Sequence, residues 1–205
     1  LDMADTDECL DAGELRTITA ELKSRLGSLW TLMNELVEWA ALDQGMADFK
    51  SERLDLGPLL AELGVLYAPE ADKKNIRFSA AAEPGTEIWG DRRMIAAVLR
   101  NLTANAVKFT KSGGSVSVRA YPKAAEGGTE LLVADTGVGI EEQHLRHFME
   151  SGKLRSRRGT GGEAGTGLGL SLVRGIMERH GGTIRIESSP GKGTSVYVFF
   201  PDAQA

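Results

Sequence analysis

The chain has 205 residues, a net charge of −5 and a single cysteine, Cys9. This length suits one good-sized domain with an added element, or two small domains. The acidic balance argues against nucleic acid as the main partner, because binding to phosphate backbones needs a basic face. One cysteine excludes a disulfide framework and a thiolate metal site, and it favours a reducing, cytoplasmic compartment. The sequence has no apolar run of the length that a membrane span needs and no signal-peptide layout, although a chain opening on Leu1 is typical of a piece that a sensor region could precede.

Residues 13–44 are predicted to form one long N-terminal helix. Leu15, Leu22, Leu29 and Leu36 repeat at every seventh position, and further apolar residues flank them on both sides. Such a stripe is too broad for a helix that lies alone on the surface. The helix is therefore expected to pack on its own domain, or to pair with another helix in a bundle or dimer.

The rest of the chain is predicted to alternate helices and strands after a polar connection at 46–57. The helices are expected over 58–67, 91–109 and 168–180, and the strands over 76–80, 86–89, 115–120, 130–134, 183–187 and 195–200. Asp91 is the expected N-cap of the second of these helices. The pattern indicates an α+β fold class, a two-layer α/β sandwich in which helices cover one face of a mixed sheet.

Helical periodicity predicts which side chains face the core and which are exposed. Inward-facing residues are expected to be Leu59, Leu60, Leu63 and Leu66 in the first helix, and Met94, Ile95, Val98, Leu99, Leu102 and Ala106 in the second. His144 and His147 are expected to be exposed helix residues. His180 is expected at a helix C-terminus, where the helix dipole favours a cation.

The helix over 91–109 carries a second, polar face. Asn101, Asn105 and Lys108 stand at positions i, i+4 and i+7, so they share one side of the helix. Two carboxamides and an ammonium group in a row could hold a hydrated cation and a phosphate chain, since Mg²⁺ prefers oxygen ligands and keeps several waters. A solvated polar face explains the same pattern.

Two glycine-rich segments favour the binding interpretation. The first, Asp135-Thr-Gly137-Val-Gly139-Ile, follows a strand directly, and a carboxylate there could accept a hydrogen bond from an exocyclic amine such as that of adenine. The second, 165–170, opens a helix whose free backbone N–H groups make an anion site. Residues 152–164 are basic and glycine-rich, which is typical of a mobile lid over phosphates or of a solvated loop.

These segments, in this order and spacing, closely resemble the N box and two glycine boxes of bacterial sensor histidine kinases, and Phe148 falls at a degraded phenylalanine box. The resemblance implies a Bergerat-type ATP-binding fold over residues 51–205, ATP and Mg²⁺ as cofactors, and a response-regulator receiver domain as partner. It assigns the Mg²⁺ ligand to Asn105, the phosphate contacts to Asn101 and Lys108, and the adenine acceptor to Asp135, beside Gly137 and Gly139. The hinge and phosphate end of the lid would be Gly165, Thr166, Gly167, Leu168 and Gly169.

The resemblance also covers the N-terminal residues 1–50. The stretch from Glu35 to Gly45 resembles the end of the second helix of the dimerisation and phosphoacceptor hairpin, which implies a homodimer. The first helix, with its phosphorylated histidine, is not visible. Residues 13–18 carry a partial likeness to its motif, but one helix length before Gly45 is too short for a two-helix hairpin.

Three functions stay open from the sequence. One is a kinase portion that transfers the γ-phosphate of ATP to a histidine outside this segment, and another is a degenerate, non-catalytic nucleotide-binding module that docks a signalling partner. The third is an ATPase of the gyrase, chaperone or mismatch-repair type. Those enzymes place a glutamate base four residues before the magnesium asparagine, where this chain has Asn101.

Overall fold

The computed structural model describes residues 49–151, 159–161, 163 and 167–202, together with positions 11, 13, 15, 18, 19, 22 and 33. The predicted N-terminal helix therefore lies almost entirely outside the described residues. Its described positions from 13 onward are helical, and Leu15 and Leu22 are exposed. The partner of the apolar stripe and the domain boundary after residue 50 stay predictions.

The described residues after position 50 form four α-helices, one short 3₁₀ helix (Ala124–Glu126) and seven strands. The helices are α1 (Leu56–Lys73), α2 (Arg92–Phe109), α3 (Glu142–Ser151) and α4 (Gly169–Arg179). The strands are β1 (Glu52–Asp55), β2 (Arg77–Ala82), β3 (Glu87–Gly90), β4 (Ser115–Lys123), β5 (Gly128–Asp135), β6 (Thr183–Ser189) and β7 (Gly193–Pro201). Within the described residues, no helix is both long enough and apolar enough to cross a membrane.

Five strands form one mixed sheet in the order β2-β4-β5-β7-β6. β2 runs parallel to β4, and the other neighbours are antiparallel. Alternate residues of the central strands are buried in one core with the apolar faces of the helices. The predicted two-layer sandwich with a mixed sheet is confirmed. Its register places Asp135, the last residue of the central strand β5, between Val116 and Thr194.

The helix α2 follows its prediction closely. The Asp91 carboxylate accepts hydrogen bonds from the backbone N–H groups of Arg93 and Met94, at 2.9 and 3.3 Å, which makes it the N-cap. All six residues of the predicted apolar stripe are buried. Because that stripe faces the core, the opposite face with Asn101 and Asn105 is left for other contacts.

Three predictions for residues 46–73 are wrong. The predicted connection at 46–57 contains strand β1, which pairs with β3 and buries Leu54 against Ile88, and a non-local pairing of this kind leaves no local signal. α1 runs to Lys73 rather than residue 67, because burial of Tyr67 and Ala71 offsets the cost of Pro69 inside the helix. Leu66 is 56% exposed, and the inner position belongs to its neighbour Tyr67.

For helix α3, one of the two predicted exposures is confirmed and the other is wrong. His147 is exposed as predicted, but His144 is half-buried. Phe148 is 1% exposed and belongs to the main core, so the residue of the degraded phenylalanine box has a packing role.

Candidate functional site

The two asparagines of α2 face the amino end of α4. A Cβ atom built on Gly169 would lie 2.7 Å from Asn101 Oδ1 and 3.5 Å from Asn105 Nδ2. Asn101 Nδ2 donates a 3.0 Å hydrogen bond to the carbonyl of Ala97, which holds this amide in place. Two segments that are far apart in the sequence therefore meet here, and glycine is the residue that lets the helix start approach the amides.

The carboxylate of Asp135 sits at the end of β5. Its Oδ1 accepts hydrogen bonds from the backbone N–H groups of Gly137 at 2.7 Å and Thr194 at 3.3 Å. Burial raises the pKa of Asp135 to about 6, although these two hydrogen bonds lower it. Both bonds fall on Oδ1, so within the described part of the chain Oδ2 is the oxygen that a ligand amine could reach.

The loop after Asp135 is held between α2 and the turn that joins β6 to β7. The backbone N–H of Val138 donates to the carbonyl of Phe109, the last residue of α2, and Gly191 N–H donates to the carbonyl of Val138. A Cβ on Gly137 would lie 2.4 Å from the Phe109 oxygen, and one on Gly139, at φ 69°, would lie 2.0 Å from the carbonyl oxygen of Ser189. Both glycines are therefore required by close packing, which fixes the Asp135 carboxylate next to the end of α2.

A short segment at 159–163 packs on the carboxyl end of α2. Thr160 N–H donates to the carbonyl of Lys108 at 3.0 Å, and a Cβ on Gly159 would lie 2.5 Å from Lys108 Cγ. The Lys108 ammonium lies 5.3 Å from the centre of the Phe109 ring. The side chain of Lys74 reaches the same place and binds both this segment and α2. The rest of the predicted lid, 152–158, 162 and 164, lies outside the described residues.

The second glycine segment is described only from Gly167 onward, since Gly165 and Thr166 lie outside the described residues. Gly167 has φ 77°, a left-handed conformation that glycine tolerates, and Leu168 is the N-cap position of α4. Within the described residues, no side chain caps this helix start. The first N–H groups of α4 are thus the kind of donor that binds an anion.

The donor set suits a hard cation that shares its ligands with phosphate. Among the described residues, no group of three or more His, Cys, Asp or Glu side chains could hold a metal ion. A cation beside α2 would take oxygen from the Asn105 amide, from phosphate and from water, which is the coordination that Mg²⁺ accepts. The residues present therefore fit Mg²⁺, and Asn105 would be its protein ligand.

Sequence reasoning missed several residues of this site. Thr194 and Lys74 come from elements that carry no motif, and they reach the site only through strand register and helix packing. Gly193 has φ 92°, and a Cβ there would lie 1.9 Å from the Asp135 carbonyl oxygen. Gly193 lies between the predicted strands 183–187 and 195–200, where the sequence indicates a connection, but that position does not show which residue Gly193 meets.

Residues 90–204, more than half of the chain, match the family described as "Histidine kinase-, DNA gyrase B-, and HSP90-like ATPase". The match begins at Gly90, one residue before the N-cap of α2, so it includes every residue of the site described above except Lys74.

Individual relatives and structures agree with that match. The histidine protein kinase DivJ of Caulobacter vibrioides is 34% identical over 180 residues, which are 85% of this chain and 29% of DivJ. The catalytic domain of the histidine kinase ThkA is 28% identical with a TM-score of 0.62, over 75% of this chain and 96% of that domain. Full-length ShkA in complex with AMPPNP is 28% identical with a TM-score of 0.72, over 96% of this chain and 40% of ShkA. The chain thus spans less than a third of the curated relative.

Proposed function

The chain belongs to the histidine kinase, DNA gyrase B and HSP90-like ATPase family, and we propose that it is the ATP-binding catalytic portion of a sensor histidine kinase. In this proposal it transfers the γ-phosphate of ATP to a histidine outside the segment, as part of two-component signal transduction. The observation that carries the proposal is that Asn101 and Asn105 of α2 meet Gly169, while the loop after Asp135 packs on Phe109 at the end of the same helix. The likeness to ShkA, whose structure was solved with AMPPNP, supports nucleotide binding by this chain.

Each part of the site has a proposed role. Asp135 Oδ2 accepts a hydrogen bond from the adenine amine, and the first N–H groups of α4 bind phosphate oxygens. Lys108 neutralises phosphate charge, with Asn101 as a polar contact. When bound, Mg²⁺ would be held by Asn105 and would neutralise charge on the phosphates. The reaction then depends on positioning and charge neutralisation, as phosphoryl transfer does in general.

The three histidines of the chain are poor acceptors in this arrangement. His180 Nε2 accepts a hydrogen bond from the backbone of Asp91, at the opposite end of α2 from Lys108. His144 and His147 lie on α3, and His144 is half-buried. The proposed acceptor is therefore a histidine on a helical hairpin whose second helix would be the N-terminal helix of this chain.

An ATPase mechanism has less support from the site. A carboxylate base is needed to activate water, and the position four residues before Asn105 carries the Asn101 amide, which donates to Ala97. The non-catalytic module is the remaining competitor, because it would use the same nucleotide contacts.

We propose a homodimer through the N-terminal helix, a response-regulator receiver domain as the partner and the cytoplasm as the location, where ATP is available.

Phosphotransfer assays distinguish kinase from binding module. The chain alone, incubated with ATP labelled at the γ position and Mg²⁺, should acquire no stable label on histidine. A version extended to include the full helical hairpin should acquire label that is acid-labile and base-stable, and the Asn105→Ala substitution should abolish it. An extended chain that binds ATP and never becomes labelled would establish the non-catalytic module instead. Labelling of His144, His147 or His180 in the short chain would overturn the placement of the acceptor.

A further inference from the structure

The ammonium group of Lys74 joins three parts of the domain that the sequence keeps apart. Lys74 is the C-cap residue of α1. Its Nζ donates to the carbonyl oxygens of Val107 at 2.9 Å and Lys108 at 3.1 Å, both in the last turn of α2. It also lies 3.0 Å from Thr160 Oγ1 and 3.0 Å from Glu163 Oε1, so its three N–H groups are shared among four acceptors. One side chain thus connects α1, the end of the asparagine helix and the segment 159–163.

The contact of Lys74 with the end of α2 is expected to be stronger than an ordinary surface ion pair. The last carbonyl groups of a helix lack intrahelical partners and carry partial negative charge, so a cation is favoured beside them. The Lys74 side chain is 19% exposed, and Glu163 adds a carboxylate to the same ammonium group. Although burial raises the pKa of Glu163, hydrogen bonds from its own backbone, Lys74 and Gly161 lower the pKa below its ordinary value. Charge-assisted hydrogen bonds that are screened from water in this way are worth more than exposed ion pairs.

The segment 159–163 has its own contacts with α2, and Lys74 ties them together. Thr160 Oγ1 lies 2.9 Å from the carbonyl oxygen of Lys108 and 2.8 Å from that of Thr110. Glu163 accepts from the backbone N–H of Gly161 through Oε2 and from Lys74 through Oε1. Without the ammonium group, the Glu163 carboxylate would face the negative end of α2 with no charge between them. The segment would then be held to α2 mainly by Thr160, so its attachment would be weaker where it covers Lys108.

We propose that Lys74 is a positioning residue for phosphate binding, which holds the segment 159–163 against the carboxyl end of α2 and so sets the place of Lys108. This inference rests on the proposed nucleotide site, but the contact itself can be tested without nucleotide. Lys74 acts through Lys108 and its covering segment, so its loss should weaken ligands that carry phosphates and leave adenosine binding almost unchanged.

The experiment compares Lys74→Met with Lys73→Met in this chain. Lys73 is the adjacent lysine and lines the same open cavity of about 690 Å³ as Lys74, but within the described residues it has no hydrogen bond to 159–163. Calorimetry with Mg·ATP and with adenosine gives the two affinities, and hydrogen exchange of a peptide covering 159–163 reports its attachment. We expect Lys74→Met to weaken the binding of Mg·ATP about tenfold and that of adenosine less than twofold, as for other residues that orient a ligand group. Hydrogen exchange in the peptide covering 159–163 should become faster. Lys73→Met should change none of these quantities.

Glu163→Gln serves as a second variant, because Glu163 is 36% exposed and its loss should not unfold the domain. This substitution should speed hydrogen exchange in the same peptide. Combining it with Lys74→Met should increase the exchange rate little further, since both substitutions remove the contact between Lys74 and Glu163. Equal losses of Mg·ATP affinity in Lys73→Met and Lys74→Met would show a general effect of positive charge and would overturn the inference. So would faster exchange with unchanged ATP affinity, or equal losses for ATP and adenosine. A parent chain that binds no ATP would refute the proposed function, whereas unchanged exchange in Lys74→Met would refute the attachment itself.

Discussion

The backbone N–H of Asp91 donates a 3.1 Å hydrogen bond to Nε2 of His180, which joins the start of α2 to the end of α4. The other ring nitrogen, Nδ1, lies 2.8 Å from the carbonyl oxygen of Ile176, so the imidazole is neutral with its proton on Nδ1. The ring also fills the space beside Gly90, where a Cβ would lie 2.6 Å from His180 Cδ2. The glycine before the N-cap is thus explained by a histidine 90 positions away in the sequence.

Lowering the pH should destabilise the domain through His180. Burial lowers the pKa of His180; the nearby Asp91 raises it and Arg179 lowers it further. Because the folded-state pKa lies below the unfolded value, this stabilisation is complete above about pH 6.5 and is lost as the pH falls through the folded pKa. The expected dipole-stabilised cation is therefore wrong, although the helix-end position of His180 is confirmed.

Urea unfolding of the parent and of His180→Gln at pH 7.5, 6.5 and 5.5 measures this effect. Gln keeps an acceptor for the Asp91 N–H and does not titrate. The free energy of unfolding of the parent should fall more steeply with decreasing pH, by at most about 1.4 kcal/mol per pH unit for one proton. Parallel curves for the two proteins would contradict the role of His180.

Adenosine binding should depend on the ionisation of Asp135. Its pKa is raised to about 6 by burial, and only the ionised carboxylate has two oxygens that both accept, Oδ1 from the backbone and Oδ2 from the amine. Affinity should therefore fall as the pH drops below about 6. Adenosine is the suitable ligand, because it has no phosphate that titrates in this range. NMR titration at pH 7.5 and 5.5 gives the two affinities.

The Asp135→Asn variant supplies the control for that titration. It should bind adenosine about 10–100-fold more weakly at pH 7.5, with little pH dependence, since a charged acceptor is lost. Its folding should not suffer, because a raised folded-state pKa means that the ionised carboxylate costs stability above pH 6, and an amide oxygen can still accept from Gly137 and Thr194. Unchanged adenosine affinity would remove Asp135 from the site.

Replacing Gly169 with Ala should impair ATP binding with little loss of stability. The new Cβ would lie 2.7 Å from Asn101 Oδ1, so the amide must move, although side-chain rotation costs little. Gly175→Ala in the same helix is the matched control, because a Cβ there meets nothing within 4 Å. That control should gain about 0.5–1 kcal/mol from helix propensity and bind ATP normally. We expect Gly169→Ala to bind Mg·ATP about tenfold more weakly by calorimetry; equal binding by both variants would refute close approach at the site.

The Asn105→Ala substitution should remove most of the dependence of ATP binding on Mg²⁺. In the parent, adding EDTA should weaken ATP binding, since Mg²⁺ held by Asn105 would neutralise charge on the phosphates. In Asn105→Ala, calorimetry with Mg²⁺ and with EDTA should give similar, weak affinities. Asn101→Ala is the comparison, and it should lower the affinity while keeping a Mg²⁺ effect. A full Mg²⁺ effect in Asn105→Ala would assign the cation to another ligand.

The elements that could be predicted from the sequence are those with local signals. α2 has a capping aspartate, a clean apolar stripe and an asparagine face, and the paired strands β4 to β7 alternate regularly around glycine turns. β1 could not be predicted, because four residues with one buried leucine gain their structure only by pairing with β3. The true end of α1 depended likewise on burial of Tyr67 and Ala71 against other elements.

The candidate site divides in the same way. From the sequence by itself, motifs that resemble those of sensor histidine kinases predicted that Asn101, Asn105, Asp135 and the glycine segments belong to one nucleotide site, since each motif pairs a side chain with the backbone freedom that phosphate or adenine binding needs. The tertiary structure decided which groups from other elements form hydrogen bonds with the residues of that site. Thr194 reaches Asp135 through strand register, His180 reaches Asp91 through packing of α4, and Lys74 reaches the end of α2 from α1. Hydrogen bonds between residues so distant in sequence depend on how helices and strands are arranged, and no local pattern encodes that arrangement.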